Sequence, residues 1–316
     1  MTDTAAPLPG VHPVPARQRK VWLGYLLYLT AAILFGINGT ASKAIMLTGI
    51  SPERLSQFRA TAAFLVLLVF LLITNRKVLK IKKSEIKLIL AYGILGVTMT
   101  QYLYFVAIKL LPVGVALLIE FTAPIMIALW VRFAYKEHVR RTVWLGLVLA
   151  LFGLGLVGEV WNGLTLNGVG VLAAIGAAVA LALYYLAGER GLADRDPVSL
   201  TTFGFGSAAL FWAIAAPVWD FPWHMLQGNT TLDNGVTLPI SVLATYMVLF
   251  GTVASFALVL FSMHHITASQ ASALGMTEPL FASAVAFVLL GEVLSGIQLI
   301  GAATVLTGVF IAENSR

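Results

Sequence analysis

Residues 88–153, moved forward by 155 positions, fall on residues 243–308 without a gap. The coincidences sit at landmarks: Gly96 meets Gly251, Ala116 meets Ala271, Thr122 meets Thr277 and Pro124 meets Pro279. Beyond them, Glu137 meets Glu292, Gly146 meets Gly301 and Gly153 meets Gly308. At an offset of 146, Gly24, Ala31 and Ala32 fall on Gly170, Ala177 and Ala178, which extends the likeness to the start of each half. A repeat holding an odd number of membrane spans lies upside down relative to its twin. Proteins built this way carry solutes by alternating access, with the binding site where the halves meet near mid-membrane.

The parity argument needs spans, and the composition supplies them. Hydrophobic residues make up 59% and charged residues 11% of the 316, against about 25% charged in a soluble domain. A membrane-spanning helix needs roughly 20 mostly apolar residues. Ten such runs can be drawn, at 21–46, 53–74, 86–108, 112–134, 142–158, 168–188, 198–219, 240–262, 267–289 and 295–313. The expected fold is an all-α integral membrane protein of ten transmembrane helices arranged as two five-helix inverted repeats, 20–158 and 168–313. Short alternating strands of the β-barrel kind are missing from the pattern. Residues 1–19 read as a disordered, Pro- and Ala-rich cytoplasmic tail, and the first apolar run is too long for a signal peptide.

Charge sets the orientation. With the N-terminus inside, 16 of the 20 Lys and Arg fall on the cytoplasmic side, in clusters such as Arg76, Lys77, Lys80, Lys82, Lys83 and Lys87. The positive-inside rule then places both termini in the cytoplasm of a multi-pass inner-membrane protein. The excess of +6 is thereby a topology signal that touches membrane lipid, and no nucleic acid is expected as partner. Glu137 would face inside and Glu292 outside, as inversion requires. The absence of cysteine excludes thiolate metal sites and cysteine catalysis, and no nucleotide, HExxH or GxSxG motif occurs. No enzyme activity, cofactor or metal is expected. The external loop 220–239 carries an Asn229-Thr230-Thr231 sequon, read as an ordinary polar loop.

Polar residues inside the apolar runs are expensive and therefore informative. Glu120 lies mid-span, and Pro124 cannot donate a hydrogen bond to its carbonyl. Glu278 precedes Pro279, which frees the carbonyl of Gly275 in the twin segment. Each glutamate can bind substrate or carry a proton; each can equally lock helices together. Arg59 is about two turns into its span, placed to clamp a carboxylate or to pair with either glutamate. Asn38 and Tyr184 coincide at the 146 offset, and Tyr185, Gln101, Tyr102 and Tyr104 add hydrogen-bonding and aromatic capacity. For these, plain interhelical hydrogen bonding is the rival reading. His264 and His265 end the eighth run at the inner surface.

The Pro-bearing fourth and ninth runs, with Glu137 and Gly291-Glu292 at the turns that follow, resemble the EamA branch of the drug/metabolite transporter superfamily across residues 20–313. Leu111-Pro112-Val113-Gly114-Val115-Ala116 followed by Glu120-Phe121-Thr122-Ala123-Pro124 is similar to threonine/homoserine exporters, as are Glu278-Pro279 and Gln298-Leu299. One departure is Lys136-Glu137, where Gly-Glu is more usual. The resemblance implies a small-molecule substrate, amino acids or related metabolites, exported across a bacterial inner membrane with proton exchange as one means of coupling. Asn38, Arg59, Gln101, Tyr102, Glu120, Tyr184, Tyr185 and Glu278 would line the site, with Pro124 and Pro279 as helix breaks. The rival readings are an exporter of lipophilic cations, and a membrane protein that handles lipid or acts as a scaffold without transport.

Overall fold

The computed structural model describes residues 20–111, 113–160, 167–231, 235–290 and 295–314. The tail 1–19, Pro112, residues 161–166 of the connector, Gly291-Glu292 and Arg316 lie outside the described residues. In chain order the helices are α1 (Val21–Met46), α2 (Pro52–Thr74), α3 (Ile86–Leu90), α4 (Met99–Leu110), α5 (Val113–Glu120), α6 (Ala123–Phe133) and α7 (Arg141–Val157). They continue as α8 (Gly168–Gly191), α9 (Pro197–Ala215), α10 (Ile240–Val248), α11 (Ser255–Met263), α12 (Ala268–Gly275), α13 (Glu278–Leu290) and α14 (Gly296–Asn314). A π-turn, Ala91–Thr98, joins α3 to α4, and a second, Leu249–Ala254, joins α10 to α11.

Helices are what a chain this apolar must form, because no water is available inside a bilayer to satisfy the backbone. Their ends are signalled locally. Pro52 and Pro197 stand in first turns, where a missing N–H does no harm, and Asp196 accepts from Ser199 N at 2.9 Å to cap α9. Among the described residues, eight helical stretches are long and apolar enough to cross a membrane. Helix α7, of 17 residues, is shorter, and the run expected at 267–289 is divided into α12 and α13. Outside the helices, Asn229–Thr231 and Thr237–Pro239 pair as a small antiparallel ribbon where an irregular loop was expected. Thr230 is buried there and donates to the Ala44 carbonyl, folding the ribbon over the end of α1.

The two prolines interrupt their helices identically. Helix α5 ends at Glu120 and α6 begins at Ala123; α12 ends at Gly275 and α13 begins at Glu278. The intervening pairs, Phe121-Thr122 and Met276-Thr277, are 155 positions apart. The local hydrogen bonds repeat as well: Thr122 Oγ1 donates to Ile119 O at 2.7 Å, and Thr277 Oγ1 to Leu274 O at 2.7 Å. Ile125 N and Met126 N both reach Thr122 O, as Leu280 N and Phe281 N both reach Thr277 O.

Close contacts between the halves come in exchanged pairs. A Cβ on Gly96 would stand 3.0 Å from the Tyr184 backbone, and one on Gly251 would strike the Asn38 side chain; Gly96 maps to Gly251, and Asn38 to Tyr184. Gly24 is pressed against Ile266, as its counterpart Gly170 is against Leu111. Helices α7 and α14 run backbone against backbone, a Cβ on Gly146 meeting Gly308 O at 2.6 Å and one on Gly153 meeting Gly301 O at 2.8 Å. Small residues permit this approach, and in lipid van der Waals contact of this kind is a main source of helix association.

Charge gathers at the end of the bundle that holds residues 76–83, 132–141 and 190–195, called here the basic face. Arg195 there pairs with Glu85 at 2.8 Å and donates to Val78 O and Lys80 O, so the basic segment 76–85 is tied to the start of α9. Glu137 is exposed in the turn between α6 and α7 at the same face.

Candidate functional site

Arg59 is the polar centre of the interior. It projects from α2 and is 5% exposed. Its Nε donates to Thr252 Oγ1 at 2.6 Å and its Nη2 to Gly251 O at 2.8 Å. Both acceptors belong to the second π-turn, whose wider winding offers backbone and hydroxyl groups that a regular α-helix keeps for itself. Thr252 passes its own proton to Met247 O at 2.7 Å. The guanidinium also lies 5.8 Å from the ring centre of Phe256. The sequence allowed Arg59 to pair with Glu120 or Glu278. Among the described residues it forms neither ion pair, and the π-turn holds it instead. A guanidinium carries five N–H donors; among the described residues only Nε and one Nη2 donor are engaged.

Around it stand the acids. Glu120, 7% exposed, closes α5 at the first break, and the half-buried Glu278 opens α13 at the second. Glu278 lies within electrostatic reach of Arg59 and of Glu120, and Tyr104 within reach of all three. Glu120 has Gly275 as its counterpart in the other half. There a side chain would press on the hydroxyls of Tyr28 and Tyr185, 3.0 and 3.1 Å from an added Cβ. Those two hydroxyls are hydrogen-bonded to each other across α1 and α8. At equivalent positions, one break thus presents the Glu120 carboxylate and the other a glycine set against a pair of phenols.

Several buried polar groups on α1, α2 and α4 lack a hydrogen-bond partner among the described residues. They are Asn38 Oδ1 and Ser42 Oγ on α1, Ser56 Oγ on α2, and Thr100 Oγ1 and Gln101 Nε2 on α4. Buried polar atoms are nearly always paired, so these helices carry hydrogen-bonding capacity that the described residues do not use. Tyr184 is buried, stacked on Tyr92 at 5.4 Å and edge-on to Tyr185 at 5.3 Å and Phe256 at 5.5 Å.

Of the residues expected at a site, the structure brings Asn38, Arg59, Glu120, Tyr184, Tyr185 and Glu278 into one interior region. Gln101 is buried beside it on α4. Tyr102 turns the other way, packing edge-on against Trp212 of α9 at 5.3 Å. Pro124 and Pro279 follow the two breaks. Thr252 and Tyr28 were not singled out from the sequence. A threonine directly after the landmark Gly251, and a tyrosine deep in the first span, were the available signals. An apolar crevice of about 340 Å³ between α2 and α10, lined by Phe58, Ala62, Ala244 and Val248, contains none of these residues. Among the described residues no cluster of metal-ligating side chains occurs.

The sequence profile of the EamA-like transporter family matches residues 22–158 and again 168–313. The chain belongs to the EamA-like transporter family. This EamA protein is accordingly a multi-pass membrane transporter. The threonine/homoserine exporter RhtA of Escherichia coli (strain K12) is 27% identical over 290 residues, spanning 91% of this chain and 90% of RhtA. The uncharacterized transporter YdfC of Bacillus subtilis (strain 168) is 25% identical over 285 residues, 90% of this chain and 89% of YdfC. A solved crystal structure superposes with a TM-score of 0.72 at 21% identity, covering 92% of this chain and 96% of the other, a likeness of fold.

Proposed function

We propose that this EamA protein exports amino acids or closely related zwitterionic metabolites from a bacterial cytoplasm by alternating access. In this reading residues 20–158 and 168–313 are inverted five-helix repeats, ten spans in all, with both termini cytoplasmic. The observation that carries the reading is the hold on Arg59. The π-turn holds two of its donors, no hydrogen bond among the described residues engages Nη1, and the guanidinium lies within electrostatic reach of Glu278, which is in turn within reach of Glu120. A buried guanidinium aimed at a carboxylate and a carboxylate aimed at an ammonium are the two ends of an amino acid. Asn38, Gln101 and the Tyr28–Tyr185 pair supply neutral contacts between them. The likeness to an exporter named for threonine and homoserine supports small hydroxylated side chains as a first choice.

The test is counterflow in proteoliposomes preloaded with threonine, homoserine or an aromatic amino acid, read with labelled solute outside. Labelled uptake driven by at least one of them is expected. A second reading, export of lipophilic cations, is favoured by the aromatic wall of Tyr92, Tyr184, Tyr185 and Phe256. Uptake driven by such cations, with none from any amino acid, would replace the first reading by the second.

A further inference from the structure

At the basic face, Gln270 on α12 sits at the centre of a hydrogen-bonded chain. Its Nε2 donates to Tyr25 Oη at 3.3 Å, and Tyr25 donates on to Glu313 Oε2 at 2.9 Å, joining α12 to α1 and α14. Its Oε1 accepts from Thr267 N at 3.0 Å, while Thr267 Oγ1 accepts from Gln270 N at 3.3 Å, a reciprocal cap on the first turn of α12. From α8, Glu189 Oε1 accepts from Ala268 N at 3.0 Å. Helix α12 is therefore fastened to three other helices by polar side chains.

The offsets identify what occupies the matching places at the opposite face. Gln270 becomes Val115, Tyr25 becomes Val171, Glu313 becomes Gly158 and Glu189 becomes Lys43. None of these can rebuild the chain, and Val115 and Val171 belong to an apolar cluster with Leu111 and Ala174. The packing differs in the same sense. Helix α12 packs against α1, α8, α11, α14 and α6, whereas the described residues of its counterpart α5 pack against α8, α4 and α7. Among the described residues, helix α12 thus has two substantial neighbours, α6 and α8, whose counterparts α13 and α1 make no comparable contact with α5.

We propose that Tyr25, Glu189, Gln270 and Glu313 form a latch that closes the basic face over α12, and that the equivalent positions at the opposite face, Val171, Lys43, Val115 and Gly158, do not repeat it. The structure is then the state sealed at the basic face, and the latch weights the equilibrium toward it. This rests on the alternating-access reading, in which closing one face accompanies opening of the other. A hydrogen bond to a carboxylate is among the stronger kinds. Losing the Glu189 contact and the Gln270 bridge together shifts the balance about tenfold or more.

The experiment is hydrogen exchange on the protein in lipid nanodiscs, comparing wild type with the Glu189→Ala/Gln270→Ala double variant. Amides of 266–275 are expected to exchange about tenfold faster and those of 115–120 more slowly, because one face opens as the other closes. Tyr25→Phe, which removes a single hydroxyl, should move both segments in the same directions by less. Faster exchange confined to 266–270, with 115–120 unchanged, would mean a local helix cap and overturn the latch. Counterflow on the same samples separates the two ideas. Reciprocal exchange in a protein that carries no tested solute keeps the latch and removes the transport reading. Transport without reciprocity does the reverse.

Discussion

Arg59 Nη2 and the carbonyl of Gly251 meet at 2.8 Å, and this contact joins α2 to the π-turn between α10 and α11. The carbonyl is reachable because Gly251 has no side chain; the space a Cβ would need is filled by Asn38. Asn38, Gly251, Thr252 and Arg59 therefore depend on one another, and the charge of Arg59 is aimed by backbone rather than by a counter-ion.

Replacing Arg59 by Lys keeps the charge and loses the planar fork. Lysine has one donor nitrogen in place of three, so it cannot span Gly251 O and Thr252 Oγ1 as the fork does and still present a planar pair of donors to substrate. Counterflow is expected to fall about tenfold or more, while the protein still purifies as a folded species. Full activity in Arg59→Lys would show that substrate does not use this group.

Glu120→Gln and Glu278→Gln remove charge while keeping shape. If either carboxylate carries the coupled proton, its variant should transport with a rate independent of pH, while the other variant retains the wild-type profile. Rates measured in proteoliposomes across a pH series decide this. Unchanged pH dependence in both variants would remove proton coupling through these residues.

Tyr28→Phe and Tyr185→Phe each leave one hydroxyl without its partner beside Gly275. Each should lower stability by about 1 kcal/mol, and the double variant by less than the sum, because the second loss finds the bond already gone. Additive losses in thermal unfolding would mean that the two phenols act separately.

Gly146→Ala and Gly155→Ala form a matched pair on α7. The first puts a Cβ 2.6 Å from Ala312 N and Gly308 O, whereas the second meets nothing closer than Val160 at 3.8 Å. The first should cost on the order of 1–3 kcal/mol. The second should be neutral or stabilise by about 0.5–1 kcal/mol, the usual gain from removing an unneeded helical glycine. Equal unfolding midpoints for the two variants would contradict the packing described for α7 and α14.

Lys136 adopts φ 57° in the exposed turn after α6. This is the left-handed region, where a side chain crowds its own carbonyl. Lys136→Gly should stabilise by roughly 0.5–1 kcal/mol, the relief exceeding the added freedom of the unfolded chain. A lower midpoint would show that the lysine makes a compensating contact.

The helices and their interruptions were legible because both follow from single residues: long apolar runs must be helical in lipid, and proline lacks an N–H. Pro124 and Pro279 therefore marked the breaks to within a few residues. The repeat landmarks Gly96 and Gly251 were visible as coincidences, but not their reason, which is the volume taken by Tyr184 and Asn38. Arg59 was legible as a buried charge and its partners were not. A π-turn leaves little trace in composition, so Thr252 could not be told from any other threonine in a span. The Tyr28–Tyr185 bond joins residues 157 positions apart, and neither offset predicts it because the pair breaks the symmetry.

The glycine seam between α7 and α14 looks the same whichever half it is viewed from. Gly146 on Gly308 and Gly153 on Gly301 are one contact seen from two ends. In the alternating-access reading proposed above, where the halves trade shapes, such a seam has nothing to rearrange. It can act as a stationary bearing on which the other helices turn, and mutations there should damage the machine's assembly far more than its stroke.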